Sequence, residues 1–188
     1  MGRSGTPDRG DRVRFEETLI EGAYIIDVEP IEDERGFFAR TYCVNEFSSR
    51  SLHTTFVQSN ISYNRQRGTI RGMHYQEAPF EEVKIVSCTQ GKLFDVIIDL
   101  RPTSTTYLKW ISVVLSAANR RMLYIPEGCA HGFQTLENDT QVFYQMGSMH
   151  EPCVSRGIRW NDDRFHIEWP LKCEVISEKD TSYKDYQP

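Results

Sequence analysis

The sequence has no apolar run approaching the roughly 20 residues that a helix needs to span a bilayer, no CxxC pair and no surplus of positive charge. The first absence argues against a membrane partner. Lys and Arg number 22 against 27 Asp and Glu, giving a formal net charge of -5 and a pI near 5.6. No global basic field exists to draw the chain onto a phosphate backbone, so nucleic acid is not an expected partner. The opening residues, MGRSGTPDRGDRVRF, lack the apolar core of a signal peptide. Cys43, Cys88, Cys129, Cys153 and Cys173 are scattered without the spacing that chelates zinc or runs thiol exchange. Such thiols behave as small hydrophobes in a reducing compartment, and a cytoplasmic location is the expectation.

What is present suits one substantial core: 188 residues, 39% hydrophobic and 12% aromatic. Residues 1–13 are polar and rich in Gly, Arg and Asp, which predicts a flexible tail; residues 14–188 are expected to form a single domain. Short alternating or apolar runs separated by turn residues predict an all-β sandwich or barrel. The expected strands are 24–28, 55–58, 84–88, 93–100, 110–115, 121–125, 132–136 and 140–145, with a further strand over 71–76. A short helix is expected over 44–50, and the stretch from Pro170 is too polar and broken to assign.

A jelly-roll barrel leaves a mouth wide enough for one small ligand, so polar side chains on inward strand faces are the candidates for chemistry. Over 71–76, period-two alternation places Gly72, His74 and Gln76 on one face, opposite Met73 and Tyr75. Lys84 shares a face with Val86 and Cys88, and Tyr144 with Val142 and Met146. Taken singly, each has a plainer reading: a hydrogen-bonded strand histidine, a solvated lysine, a core tyrosine. A stronger signal is Ile125-Pro126-Glu127-Gly128-Cys129-Ala130-His131-Gly132-Phe133, which keeps the P-x-G-x-x-H spacing of the second cupin motif. Metal-binding cupins add an earlier H-x-H and a glutamate. Here that position reads His74-Tyr75-Gln76, with a weak amide for the second histidine, so a metal-free barrel is expected over a site built from His74, His131 and Glu81 or Glu82.

Together these residues resemble the dTDP-4-dehydrorhamnose 3,5-epimerase family across nearly all of 16–180. The stretches that carry the resemblance are Asp33-Glu34-Arg35-Gly36-Phe37-Phe38, Phe56-Val57-Gln58-Ser59-Asn60, Ile70-Arg71-Gly72-Met73-His74-Tyr75-Gln76, Phe94-Asp95-Val96, 115–121, the His131 motif and Gly157-Ile158-Arg159-Trp160-Asn161-Asp162. The resemblance implies a cupin-like jelly roll, a homodimer with exchanged strands, a nucleotide-diphosphate sugar as substrate and no cofactor. It also implies roles: His74 as general base, Tyr144 as general acid on the opposite face, Asp180 as the carboxylate orienting the histidine, Lys84 beside the ketone oxygen and His131 as a second pocket histidine. Arg35, Phe38, Gln58, Asn60 and Arg71 join the substrate-binding set. Arg40 is a departure, standing where thymidine-specific members usually have glutamate, and Met149-His150 replaces a frequent aromatic pair. Arginine only donates hydrogen bonds, so base recognition is expected to be relaxed or to favour a base with an acceptor, such as cytosine.

The implied chemistry is proton exchange next to a C4 ketone. An enolate needs a cation or donor at its oxygen, and inversion needs a base on one face with an acid on the other. The competing readings are a metal-dependent cupin and a sugar-binding cupin that has lost the reaction; a 3,4-ketoisomerase is the nearest chemical neighbour.

Overall fold

The computed structural model describes residues 13–187. In chain order the elements are β1 (Val13–Glu17), β2 (Tyr24–Val28), β3 (Ile31–Asp33), β4 (Gly36–Phe38), α1 (Val44–Ser48), β5 (Gln58–Asn64), β6 (Ile70–Gln76), β7 (Lys84–Gln90), β8 (Lys92–Asp99), β9 (Trp110–Ser116), β10 (Met122–Ile125), β11 (Cys129–Thr135), β12 (Thr140–Met146), β13 (Ser155–Gly157) and α2 (Glu178–Ser182). One antiparallel sheet runs β1-β2-β10-β7-β12-β5, and a second runs β13-β6-β11-β8-β9; among the described residues β3 and β4 pair only with each other. The two large sheets make a jelly-roll barrel of the cupin kind.

Burial on one face or two explains how each strand reads. The barrel interior is closed by Val86, Leu93, Ile97, Leu115, Leu123, Phe133 and Val142. Behind the six-stranded sheet, Phe47 of α1 packs with Phe15, Tyr42 and Tyr124. Behind the five-stranded sheet, Met73, Val96 and Ile98 meet Ile158 and Phe165 from the C-terminal segment. β8 is therefore covered on both sides, which is why its sequence is apolar almost throughout rather than alternating. Each fully buried side chain of this size contributes about 1.5–3 kcal/mol.

Most expected strands form, and the exceptions have physical causes. The strand expected over 55–58 instead begins at Gln58 and runs to Asn64. Its inward residues are Asn60, Ser62 and Asn64, while Ile61 and Tyr63 face out, which inverts the usual pattern. Val13 opens β1 and is buried, so it belongs to the domain and not to the tail; residues 1–12 lie outside the described residues. α1 stops at Ser48, two residues short of expectation, once Phe47 is seated.

The five cysteines are free thiols. Burial pushes the Cys88 thiol up to about 11 and the Cys129 thiol up to about 12, so neither is a nucleophile near neutral pH. Among the described residues no helix is long and apolar enough to cross a membrane.

At the end of β8, Asp99 is sealed and accepts from the Arg101 backbone N–H, Arg101 Nε and Nη2, Ser104 Oγ and Thr106 Oγ1, all at 2.6–3.0 Å. Burial alone would raise its carboxyl, and these hydrogen bonds outweigh it, holding the pKa at about 2 against an ordinary 3.8. A depressed carboxyl contributes stability above its unfolded pKa that is lost as pH falls through the folded one. Asp99→Asn is therefore expected to lower unfolding free energy by roughly 2 kcal/mol at pH 7, with the gap narrowing to about half at pH 3. Urea unfolding at the two pH values checks this, and a pH-independent gap would assign the loss to packing instead.

Candidate active site

A cavity of about 260 Å³ opens between the sheets, lined by Asn60, Ser62, Arg71, His74, Lys84, His131, Gly132, Phe133, Tyr144 and Met146. The six-stranded sheet supplies Asn60, Ser62, Lys84, Tyr144 and Met146; the five-stranded sheet supplies the rest. His74 and Tyr144 therefore project from opposite walls.

A β-bulge decides what β6 presents. His131 pairs with His74 and Phe133 with Arg71, so Gly72 and Met73 together oppose Gly132. Strict alternation would put Arg71 and His74 on opposite faces. The extra residue turns both into the cavity, adding Arg71 to the face expected for His74, while Met73 and Tyr75 pack in the outer core as the alternation predicts. Gly72 allows this with φ +118°, a conformation that L side chains rarely adopt.

Asp180 reaches His74 from behind. The C-terminal chain runs beside the start of β6, with Ile70 N–H donating to Val175 O at 2.8 Å and Glu174 N–H to Gly68 O at 3.0 Å. Ser177 then caps α2, its Oγ accepting the Asp180 N–H at 3.0 Å. This turns the carboxylate onto β6: Oδ1 lies 2.7 Å from His74 Nε2, and Oδ2 accepts the Gly72 N–H at 3.2 Å. Burial favours the neutral acid, but the bond and charge of His74, with the Gly72 N–H and Ser177, hold Asp180 below the usual carboxylate range. Asp180 is thus an anion facing an imidazole, and it directs the His74 proton to Nε2.

A second pair lies deeper. His131 Nε2 is 2.7 Å from Asp95 Oδ1, with side-chain exposures of 5% and 0%, and the His131 ring meets Tyr144 edge-on at 6.1 Å between centroids. Burial first, and the Asp95 charge second, push the Tyr144 phenol well above its ordinary value; Arg71 and a hydrogen bond with Ser62 oppose this only in part. Tyr144 therefore holds its proton across the working pH range. Lys84 is paired with Glu82, Nζ to Oε1 2.7 Å.

The remaining expected residues are placed variously. Arg71 Nε donates to Asn64 Oδ1 at 2.7 Å, beside Asn60. Gln58 stands at the rim, its Nε2 3.3 Å from Asn60 Oδ1. Arg35, Phe38 and Arg40 are not brought to the cavity of their own chain. Arg35 is tied to Asp33 on the β3–β4 hairpin, Phe38 is 66% exposed, and Arg40 Nη1 donates to Glu46 Oε1 at 2.9 Å. The physical reason is that, among the described residues, the hairpin strands pair only with each other, and Phe37 stacks under Arg120 and lines a separate cavity with Ser87, Phe143 and Gln145.

The donors weighed for a metal do not converge: His74 holds Asp180, His131 holds Asp95 and Glu82 holds Lys84. Among the described residues no three His, Cys, Asp or Glu side chains gather in a metal-holding group. Ser62, Asn64 and Asp95 were missed from sequence. Asp95 had left a signal, a lone carboxylate inside the apolar run of β8, and Ser62 and Asn64 follow Asn60 at period two.

This geometry matches known proteins over nearly its whole extent. The family model described as dTDP-4-dehydrorhamnose 3,5-epimerase matches residues 17–187. The dTDP-4-dehydrorhamnose 3,5-epimerase of Methanothermobacter thermautotrophicus is 42% identical over 175 residues, covering 91% of this chain and 93% of that one. The dTDP-4-dehydrorhamnose 3-epimerase of Streptomyces niveus is 34% identical over 164 residues, covering 86% and 78%. The crystal structure of the 3,5-epimerase from Bacillus anthracis, with TDP and PPi bound, superimposes with a TM-score of 0.90 at 36% identity, covering 93% of this chain and all of that one. With a family model spanning the domain, relatives covered over most of their length and a shared barrel, the chain belongs to the dTDP-4-dehydrorhamnose 3,5-epimerase family and is an isomerase.

Proposed function

We propose that this protein inverts C3 and C5, or C3 alone, of a nucleotide-linked 4-keto-6-deoxyhexose, with dTDP-4-dehydro-6-deoxyglucose as substrate and, where both centres invert, dTDP-4-dehydrorhamnose as product. The observation that carries the reading is the pairing of His74 with Asp180 on one wall of a small cavity and a proton-holding Tyr144 on the other. His74 removes the proton alpha to the C4 ketone, and the electron pair moves onto O4. Lys84 meets the enolate oxygen as a cation, and Tyr144 returns a proton to the opposite face, inverting the centre. His131, paired with Asp95, stands beside Tyr144. Arg71, Asn60 and Gln58 bind the diphosphate end, for which arginine's planar donor fork is suited. Proton exchange with water then resets His74 and Tyr144, and no electrons leave the substrate, so the reading calls for no cofactor.

Arg35 and Phe38, exposed on a self-paired hairpin, fit a homodimer in which each protomer lends its hairpin to the other's site. Arg40 is paired with Glu46 in its own chain, and a dTDP substrate is favoured over the cytosine reading because the similar Bacillus anthracis enzyme holds TDP. The relatives include both 3,5- and 3-epimerases, and the positions of deuterium entry distinguish the two reactions.

The test is proton NMR in D₂O with dTDP-4-keto-6-deoxyglucose and EDTA present. Deuterium entry at C3 and C5 is expected, and entry at C3 alone makes the protein a monoepimerase. No exchange with the dTDP, CDP or GDP sugar, or exchange that EDTA abolishes, overturns the reading. Inhibition by dTDP ahead of UDP, CDP and GDP is the expected base order.

A further inference from the structure

Lys84 and Glu82 form a nearly sealed ion pair, 7% and 8% exposed, with Nζ 2.7 Å from Oε1. Lys84 lines the cavity; Glu82 does not. On its far side Oε2 lies 3.4 Å from Gln76 Nε2, a long contact shared with that nitrogen's two shorter bonds. Gln76 is itself fixed by bonds to Phe80 O at 2.8 Å, Met149 O at 3.2 Å and the Glu151 N–H at 2.7 Å. One buried amide thus pins the segments before β7 and after β12 and carries the carboxylate between them.

We infer that Glu82 is a positioning residue for the reaction, acting through Lys84 to aim its ammonium at the substrate's O4. The inference rests on the functional reading above. A lysine ammonium is a strongly hydrated point charge on a flexible four-carbon stem, and nothing in the stem directs it. Around Lys84 the cavity presents Arg71, His74, His131 and Tyr144, among which no carboxylate faces it directly. Glu82 takes one of the three N–H donors. The others are left for the cavity, where negative charge develops on O4 as the proton leaves. A charge held in place before the reaction needs no reorientation during it, which is where such stabilisation acts most strongly. The contact with Lys84 also occupies the carboxylate that sequence reading had weighed as a metal ligand.

The test is a cycle of Glu82→Gln, Lys84→Met and the double variant, measuring kcat and KM on the 4-keto sugar. Glu82→Gln is expected to lower kcat by about 10- to 100-fold with KM changed by no more than about threefold, the signature of an interaction realised in the transition state. In the Lys84→Met background the same change is expected to alter kcat by less than about twofold, because residues acting as a unit are not additive. Glu82→Asp, which retains the charge, is expected to recover part of kcat. Unchanged kcat in Glu82→Gln, or equal losses in both backgrounds, overturns the inference and leaves an ordinary structural ion pair. If Glu82→Gln fails to fold, the double variant, which leaves no unpaired buried charge, decides: kcat equal to that of Lys84→Met supports the inference, and a lower kcat overturns it. A wild-type protein that does not turn over the sugar would instead remove the functional reading, a result distinct from any of these.

Discussion

His74→Asn is expected to lower turnover of the 4-keto sugar by about 10²- to 10⁴-fold, the usual worth of a positioned base, and to abolish deuterium entry at C3. Asparagine has no lone-pair nitrogen to take a proton, and its shorter side chain also gives up the N–H that Nε2 presents to Asp180. In the native site Nε2 bonds Asp180, and on the proposed reading Nδ1 is the nitrogen that takes the substrate proton. Binding is expected to survive, because Arg71, Asn60 and Gln58 lie outside the His74–Asp180 pair. The check is deuterium exchange beside dTDP inhibition, the first lost and the second changed by no more than about twofold. Asp180→Asn separates orientation from charge: the amide keeps the shape, removes the anion that holds the imidazole, and should fall between wild type and His74→Asn. A His74→Asn protein that still exchanges at C3 would assign the base elsewhere, with His131 the remaining imidazole of the cavity.

How much of this was legible depends on how local the signal was. His74, Lys84, Tyr144 and His131 sit inside strands whose apolar neighbours announce the element, so each could be set on an inward face from sequence. Asp180 could not. Its stretch is polar, and its meaning comes from a contact 106 residues away in sequence, made because the C-terminal chain pairs beside β6. β5 was misread for the converse reason. A strand that lines a wet cavity turns Asn60, Ser62 and Asn64 inward and Ile61 outward, which defeats a rule built on apolar interiors. Arg35 and Phe38 were readable as family residues, but their position on a self-paired hairpin was not, because nothing in Asp33-Glu34-Arg35-Gly36 says which surface the hairpin serves. Asp95 was the avoidable miss. A carboxylate in a strand buried on both faces must have a partner, and His131 was already in view.

The bulge in β6 carries the other large prediction. A Cβ placed on Gly72 would stand 2.6 Å from the Gly132 Cα and 2.8 Å from the His131 carbonyl oxygen, both backbone atoms, at a φ of +118°. Gly132 is crowded in return by the Arg71 carbonyl oxygen at 2.8 Å and Met73 Sδ at 2.6 Å. The two glycines let β6 and β11 approach at the point where the extra residue turns Arg71 and His74 the same way. Gly72→Ala therefore meets two costs, about 1–3 kcal/mol for an unfavourable backbone conformation and about 1–3 kcal/mol for forcing a methyl into a packed contact. Against a total stability of about 5–15 kcal/mol, the sum of roughly 4 kcal/mol is expected to lower Tm by about 10 °C. The alternative is for the protein to relax by straightening the bulge. That would carry Arg71 off the cavity wall and pull the Gly72 N–H from Asp180, so a variant that keeps its Tm should instead bind dTDP more weakly and lose kcat. Thermal unfolding and dTDP inhibition on the same preparation distinguish the two routes. A variant with native Tm, native dTDP binding and native kcat would show that the bulge is not what sets Arg71 and His74 on one wall.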